Sequence, residues 1–137
     1  MNRRNIYITA VDLTRLRDVL KARTSVGRDR DHLDSLENEL DRAHVVEPPA
    51  IPHDVVTMNS RVRIEDVDTG MENIYTLVFP SDASIAEKKI SVLAPIGTAL
   101  LGCRAGATVN WPVPAGVRTV RIREVLYQPE AAGDYHL

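Results

Sequence analysis

Cysteine and aromatic residues are scarce in this chain of 137 residues. The single cysteine, Cys103, cannot form an internal disulfide and suits a reducing compartment. Phe, Trp and Tyr make up only 4% of the residues, which argues against a large pocket lined by aromatic rings. No apolar run reaches the roughly 20 residues that cross a bilayer, and the N-terminal segment lacks the apolar core of a secretory signal. We therefore expect a cytoplasmic protein that does not contact a membrane.

The chain also lacks a large excess of positive or negative charge, and it lacks recognisable catalytic motifs. The formal net charge is -2, so the chain has no basic footprint, and we expect no sequence-specific binding to nucleic acid. The sequence contains neither a GxxxxGK[ST] phosphate loop nor a nucleophile elbow. The four histidines have no spacing typical of metal ligands; they are His32, His44, His53 and His136. The chain is therefore expected to have no catalytic residue, metal or cofactor, and not to be an enzyme.

Residues 1–46 have the pattern of a short helical hairpin. Thr9 is a candidate N-cap with Asp12 as a weak capping partner, Gly27 can end the first helix, and Asp29 or Asp31 can cap the second. Apolar residues at helical spacing define one face of each helix: Leu13, Leu16, Val19 and Leu20 in the first, and Leu33, Leu36, Leu40 and Ala43 in the second. The pattern predicts an antiparallel arm roughly 20–25 Å long with an internal apolar seam.

A proline-rich stretch follows, and after it the pattern changes to short strands. Pro48, Pro49 and Pro52 cannot continue a helix and predict an extended linker over residues 47–54. Residues 55–137 form the second predicted domain. The strands expected there are Arg61 to Val67, Asn73 to Phe79, Ile90 to Leu93, Thr108 to Trp111 and Val117 to Tyr127, with Val120, Ile122 and Val125 facing inward. A short helix from Pro95 to Gly102, a turn from Pro112 to Gly116 and an irregular tail from Pro129 complete an α+β fold.

The segment Ile90 to Gly102, ISVLAPIGTALLG, has the most specific pattern in the chain. With the following CRAGATVNWPVPAGVRTVRIREVLY, it resembles the C-terminal domain of the bacterial transcript-cleavage factors GreA and GreB. The positions that fit are Pro95, Ile96, Gly97, Ala99, Leu100, Leu101, Gly102, Gly106, Pro114 and Gly116. Three further segments resemble one branch of that family, Rnk, the regulators of nucleoside diphosphate kinase: HDVVTMNSRVRI (53–64), NELDRA (38–43) and YQPEAAGDY (127–135).

The resemblance implies a fold and a partner. The fold is a short N-terminal antiparallel coiled-coil hairpin followed by an FKBP-like antiparallel β domain with one short helix. The partner is bacterial RNA polymerase, with the C-terminal domain on the rim of its secondary channel and the coiled coil pointing inward. The polymerase-binding candidates are Pro95, Ile96, Gly97, Thr98, Leu100 and Leu101, with Met58 to Arg61 as a second surface, and the arm-tip candidates are Arg28, Asp29, Arg30 and Asp31.

Two departures from the cleavage factors limit what the resemblance implies. In those factors, acidic residues at the tip of a long arm help to hold a catalytic Mg²⁺. The arm here is much shorter, and its tip lacks the acidic Asp-Leu-x-Glu-Asn-Ala-like run, of which DSLENEL (34–40) is a loose echo. In the motif, Thr98 and Cys103 replace basic residues and Ala107 replaces an aspartate. We therefore expect a polymerase-binding regulator without cleavage activity that competes with longer-armed factors.

Two alternatives remain open. The chain could regulate nucleoside diphosphate kinase directly as a protein partner, or it could be a peptidyl-prolyl isomerase, as the FKBP-like architecture suggests. Fold analogy is weak support for an activity. The single Phe and single Trp also count against a proline-binding pocket.

Overall fold

The computed structural model describes residues 6–22, 30–113 and 116–134, and for residues 22, 30–35 and 111–113 it describes the main chain only. The N-terminal elements are β1 (Tyr7–Thr9), α1 (Ala10–Ala22), α2 (Arg30–Asp41) and β2 (His44–Val46). They are followed by β3 (Arg61–Asp66), β4 (Glu72–Val78), β5 (Lys89–Ser91), α3 (Pro95–Leu100), β6 (Thr108–Val113), β7 (Gly116–Tyr127) and α4 (Pro129–Ala132). No helix in the described ranges is both long and apolar enough to cross a membrane.

The two ends of the helical arm are held together by a small parallel sheet. Tyr7 in β1 pairs with His44 in β2, and the pairing continues to the ends of both strands. The hydroxyl of Thr9 accepts a hydrogen bond from the Asp12 N–H at 3.1 Å, which confirms the predicted N-cap of α1. Since α2 begins at Arg30, Asp31 lies in its first turn and is not its cap. Asp29 and Gly27 lie outside the described residues.

The main sheet has five strands in the order β5-β4-β3-β7-β6. Its pairs are antiparallel except for β4 and β5, which are parallel, so the expectation of an antiparallel domain is wrong at this edge. Parallel neighbours need a connection that carries the chain back along the first strand. Residues 79–88 provide it through a 3₁₀ turn at Pro80–Asp82 and an antiparallel bridge between Ser84 and Lys89.

A register shift in β7 explains why its inward residues do not alternate strictly. Arg63 pairs with Glu124, whereas Ile64 pairs with Ile122, so β7 has one extra residue between these pairs. Val120 and Ile122 are buried before the shift, and Val125 packs against the core after it. The three predicted inward positions are therefore confirmed.

Three local expectations are wrong, each because of a proline. β6 continues to Val113, since Pro112 lies on an edge strand where a missing N–H is tolerated. The tail forms α4, with Pro129 in its first turn and Gly133 as a left-handed C-cap. The predicted extended linker contains a 3₁₀ turn at Pro48–Ala50, and the side chain of Ile51 after it is buried.

One hydrophobic cluster includes side chains from both predicted segments. The arm and β1 contribute Ile6, Ile8, Leu16, Leu36 and Leu40, and the remainder of the chain contributes Met58, Leu77, Leu100, Leu101 and Ile122 among others. Full burial of one such side chain contributes about 1.5–3 kcal/mol to folding. The base of the arm is thus stabilised by the sheet and α3 as well as by its own seam. The side chain of Leu33 lies outside the described part of the chain, and the domain boundaries stay a prediction.

Gly102 is the point where β1 meets the rest of the fold. Its N–H donates to the Val56 carbonyl at 2.8 Å, and its own carbonyl accepts from the Tyr7 N–H at 3.2 Å. Its φ is +77°, and a methyl group at this position would overlap the side chain of Ile6. Glycine is therefore required for two independent reasons, the left-handed backbone and the close approach of β1. We call these contacts among Ile6, Tyr7, Val56 and Gly102 the Gly102 junction.

Replacing Gly102 with Ala should lower the free energy of unfolding by about 3 kcal/mol or more, because backbone strain and overlap with Ile6 add together. Gly106 provides the matched control, since its φ is +92° but nothing lies within 4 Å of an added methyl group. Gly106→Ala should cost only the backbone strain, about 1 kcal/mol. Urea unfolding measures the free energy of unfolding of both variants. If both substitutions lowered it equally, the close approach of Ile6 to Gly102 would make no additional contribution.

Candidate functional site

The helix α3 packs against both edge strands of the sheet, β5 and β6, and against α2. Pro95 occupies its first turn, where the missing N–H costs nothing. A methyl group on Gly97 would overlap the Ser91 carbonyl, so only glycine lets α3 approach β5 this closely. The hydroxyl of Thr98 donates to the Pro95 carbonyl at 2.9 Å. The proline and both glycines of the motif thus determine how α3 begins, packs and ends.

Most of the predicted polymerase-binding residues are in the interior. Gly97, Thr98, Leu100 and Leu101 are buried. Pro95 is exposed and Ile96 is half-buried, so these two residues give α3 its accessible surface. That they contact a partner stays a prediction.

The second predicted surface is also mostly internal. Met58 and Ser60 are buried, whereas Asn59 is half-buried and Arg61 is exposed. Arg61 begins β3 and faces away from the core, because its neighbour Val62 is fully buried.

The four arm-tip candidates lie outside the described residues or are described by their main chain alone. Arg28 and Asp29 lie outside them. Arg30 and Asp31 are placed by their main chain in the first turn of α2, and their side chains are outside the described part. Their role at the tip remains a prediction.

A buried polar cluster joins the base of the arm to the C-terminal part of the chain. The Asp12 carboxylate accepts a hydrogen bond from the Met58 N–H at 3.2 Å. The Thr57 hydroxyl donates to the Glu130 carboxylate at 2.8 Å and lies 2.8 Å from the Ser60 hydroxyl. Asp12, Thr57 and Ser60 are all buried. Sequence reasoning identified Asp12 only as a capping partner and missed the others, since Glu130 is far away in the chain.

Burial, and to a smaller extent the nearby Glu130 carboxylate, raises the pKa of Asp12 from 3.8 to about 7. The hydrogen bond from the Met58 N–H and the positive charge of Arg15 act in the opposite direction. Near neutral pH, this carboxyl group therefore exchanges a proton while it holds the arm against the segment before β3.

The exposed side of the Gly102 junction carries a stack of planar groups. The His44 ring stacks on Tyr7 with centroids 5.0 Å apart, and the Arg104 guanidinium lies 5.9 Å from the centroid of the same Tyr7 ring. Arg104 also forms an ion pair with Asp54 at 3.0 Å. These contacts brace β1 and β2 from the solvent side, although an exposed pair of this kind contributes ~1 kcal/mol or less.

Reactive and metal-binding groups are not assembled in the described part of the chain. Cys103 is buried, with its Sγ 3.4 Å from the Ala99 carbonyl, as expected of a small core residue. Within residues 6–22, 30–113 and 116–134, no group of three or more His, Cys, Asp or Glu side chains could hold a metal ion. Among the predicted binding residues whose side chains are described, two are exposed: Pro95 at the start of α3 and Arg61 on the face of the sheet that points away from the core.

Two family models match the sequence. The model described as transcription elongation factor, GreA/GreB, C-term matches residues 51–127, and the model described as Rnk N-terminus matches residues 4–46. Between them they span both predicted segments, and their boundary falls in the proline-rich stretch.

Curated relatives agree with these matches. The regulator of nucleoside diphosphate kinase of Escherichia coli (strain K12) is 43% identical over 138 residues, with 100% of both chains covered. The transcription elongation factor GreA of Syntrophus aciditrophicus (strain SB) is 35% identical over 97 residues, which are 71% of this chain and 60% of that protein. The similarity to the regulator therefore extends over the whole chain, whereas the similarity to GreA is partial.

Solved structures show a similar fold. The structure described as prokaryotic transcription elongation factor GreA/GreB from Nitrosomonas europaea has a TM-score of 0.76 and 44% identity, and covers 91% of this chain and 100% of that one. Thermus aquaticus Gfh1 has a TM-score of 0.51 and 26% identity, over 90% of this chain and 99% of that one. The mixed helix-and-sheet fold is confirmed, while the coiled-coil and FKBP-like descriptions stay predictions.

The stability of the protein should depend on the protonation of Asp12. Because its pKa is raised in the folded state, folding takes up a proton between pH 3.8 and about 7. The resulting stability is complete below pH 3.8 and is lost as the pH rises through about 7, with a total of about 4 kcal/mol at most. Asp12→Asn keeps an acceptor for the Met58 N–H but cannot titrate, so it should remove this slope from urea unfolding curves measured between these pH values.

Asp18, an exposed carboxylate on the same helix, provides the control. Asp18→Asn should retain the wild-type slope. If Asp12→Asn and wild type gave parallel pH profiles, Asp12 would not be the group that binds the proton.

Proposed function

Because the chain belongs to the GreA/GreB family of transcription elongation factors, and within it to the Rnk branch, we propose that it binds bacterial RNA polymerase in the cytoplasm. It occupies the entrance of the secondary channel, competes there with Gre factors and does not stimulate transcript cleavage. The observation that carries the proposal is the match of residues 51–127 to the C-terminal domain of that family. The resemblance to GreA and GreB implies that this domain contacts the rim of the polymerase secondary channel.

The dimensions of the arm support a non-catalytic role. α1 has 13 residues and α2 has 12, and at 1.5 Å per residue each helix is about 20 Å long. The acidic tip motif of the cleavage factors is also absent from the sequence. Cleavage by these factors needs carboxylates that reach a metal ion in the polymerase active centre. A short arm without that motif can occupy the channel entrance and still leave the catalytic metal unchanged.

The accessible part of α3 is the best candidate for the rim contact. Pro95 is exposed and Ile96 is half-buried, and the glycine contacts beneath them hold α3 rigidly on the sheet. A rigid apolar projection loses little conformational entropy on binding, which favours affinity.

A functional link to nucleoside diphosphate kinase is the second candidate. It rests on the name of the Escherichia coli relative, which is 43% identical over the full length of both chains. Regulation could act through transcription or through direct contact between the two proteins. Capture of purified kinase by the immobilised chain would favour direct contact, and its absence would favour the transcriptional route.

A competition assay on core RNA polymerase tests the main proposal. The wild-type chain should bind, and an added Gre factor should displace it. Pro95→Glu should weaken binding about ten-fold or more, equivalent to ~1.4 kcal/mol, because it places a charge in the rim contact. Val117→Glu is the matched control, since Val117 is also exposed (61%) but lies on β7. Failure of the wild-type chain to bind would refute the proposal.

The arm can be tested in the same assay. Asp29→Ala/Asp31→Ala should bind polymerase as wild type does, and neither protein should stimulate cleavage in stalled complexes. Robust cleavage by the wild-type chain that the double substitution abolishes would contradict the non-catalytic role.

A further inference from the structure

A cavity of about 380 Å³ opens on the face of the sheet that points away from the core. Val78 lines it together with six residues that have polar side chains: Asn59, Arg61, Thr76, Asp82, Lys89 and Tyr127. Asn59 and Arg61 also belong to the second predicted polymerase surface, but no function considered above assigns a small ligand to this cavity. The α3 edge, where we place the polymerase contact, contributes no residue to this lining.

The sheet register brings four of these residues into one row. Tyr127 on β7 is the cross-strand partner of Arg61 on β3, Arg61 is the partner of Thr76 on β4, and Thr76 is the partner of Lys89 on β5. Directly opposed residues point to the same face of a sheet, and neighbouring strands are about 4.8 Å apart. The Thr76 hydroxyl therefore lies between two cationic side chains, each one strand away. Three donors can converge on a single anionic group in this arrangement.

The positive charge of this row is only partly neutralised. Arg61 makes no ion pair with any residue of the described ranges. Lys89 pairs with Glu87 at 3.0 Å, but the Glu87 side chain is 65% exposed, and such pairs are weak. In contrast, Arg63 on the same strand has a partner in Glu124 at 3.4 Å. The cavity thus contains a guanidinium group that forms no ion pair with the described residues, although the Asp82 carboxylate belongs to the same lining.

The other polar groups restrict the class of ligand. The Tyr127 hydroxyl donates to the Asp134 carboxylate, which raises the pKa of Tyr127 to about 12 and keeps the phenol neutral. Asp82 is exposed on the 3₁₀ turn and makes no ion pair within the described residues. Its carboxylate repels a bare anion but accepts a hydrogen bond from a hydroxyl group. The lining therefore fits a molecule that has an anionic end and a hydroxyl-bearing end.

We propose that this cavity binds a small phosphate monoester of a sugar or polyol. The phosphate oxygens accept hydrogen bonds from Arg61, Thr76 and Lys89, and a ligand hydroxyl donates to Asp82. A phosphate dianion has two negative charges and therefore complements the cations Arg61 and Lys89 better than a carboxylate with one charge. A guanidinium group can also donate hydrogen bonds to two phosphate oxygens at once. The site shares Asn59 and Arg61 with the second predicted polymerase surface but no residue with α3, where we place the polymerase contact, so either proposal can fail without the other.

Calorimetric titration of the full chain with ribose 5-phosphate and with inorganic phosphate, at constant ionic strength, tests the site. The sugar phosphate should bind saturably at millimolar concentration or below. Arg61→Ala should weaken it about ten-fold or more, since a bidentate charge-assisted contact is lost. Arg63→Ala, on the same strand and face, should leave the affinity unchanged. Asp82→Asn should weaken the binding of ribose 5-phosphate but not the binding of inorganic phosphate.

Thermal unfolding of each variant verifies that the fold is retained, and since Arg61 is exposed we expect no loss. Absence of saturable binding by wild type would refute the proposal. Equal weakening by Arg61→Ala and Arg63→Ala would also refute it, because it would indicate general attraction of anions to the sheet face.

Discussion

The close approach of β1 to Gly102 is the contact on which the placement of the arm depends. Two main-chain hydrogen bonds of Gly102, to Val56 and from Tyr7, fix β1 against the segment before β3. The side chain of Ile6 fills the space that any other residue at position 102 would occupy. Because β1 leads directly into the Thr9 cap, the direction of α1 follows from this contact. The parallel pairing of β1 with β2 then fixes where α2 must end. A glycine in the C-terminal part thus determines the position of β1 and of the helix α1 that follows it.

This dependence changes the meaning of the family motif. Gly97, Leu100 and Gly102 are recognisable in the sequence, but in the structure they are packing positions. The motif therefore indicates how α3 and β1 pack. It does not identify the exposed residues that a partner would contact. Few motif positions are accessible, and the pattern does not show that Pro95 is exposed while Gly97 and Leu100 are buried. A family match of this kind supports a shared docking domain, while the contact residues must be found from the exposed side chains.

The sequence predicts elements well where a local rule applies. Alternation identified β3 and β7, the β-branched and aromatic residues of Asn73 to Phe79 identified β4, and the capping pattern identified the start of α1. Features that depend on distant residues left no local trace. The parallel pairing of β5 is decided by the path of residues 79–88, and the strand character of Pro112 depends on its position at a sheet edge. The contact between α1 and the Met58 N–H joins positions 46 residues apart, and no periodicity encodes it.

Aspartate suits position 12 because its carboxyl group interacts with both the N-terminus of α1 and the Met58 N–H. It lies in the first turn of α1, where a negative charge is favourable, and it also accepts the otherwise unpaired Met58 N–H. An apolar residue there would pack well but would leave a buried donor unsatisfied, at a cost of about 1–3 kcal/mol. The carboxylate instead carries a desolvation cost, which is visible in its raised pKa. In the observed orientation of α1, Asp12 satisfies the Met58 N–H while β1 keeps its contacts at the Gly102 junction. The polar contact therefore ties the direction of α1 to the segment before β3, at the cost of burying a carboxyl group.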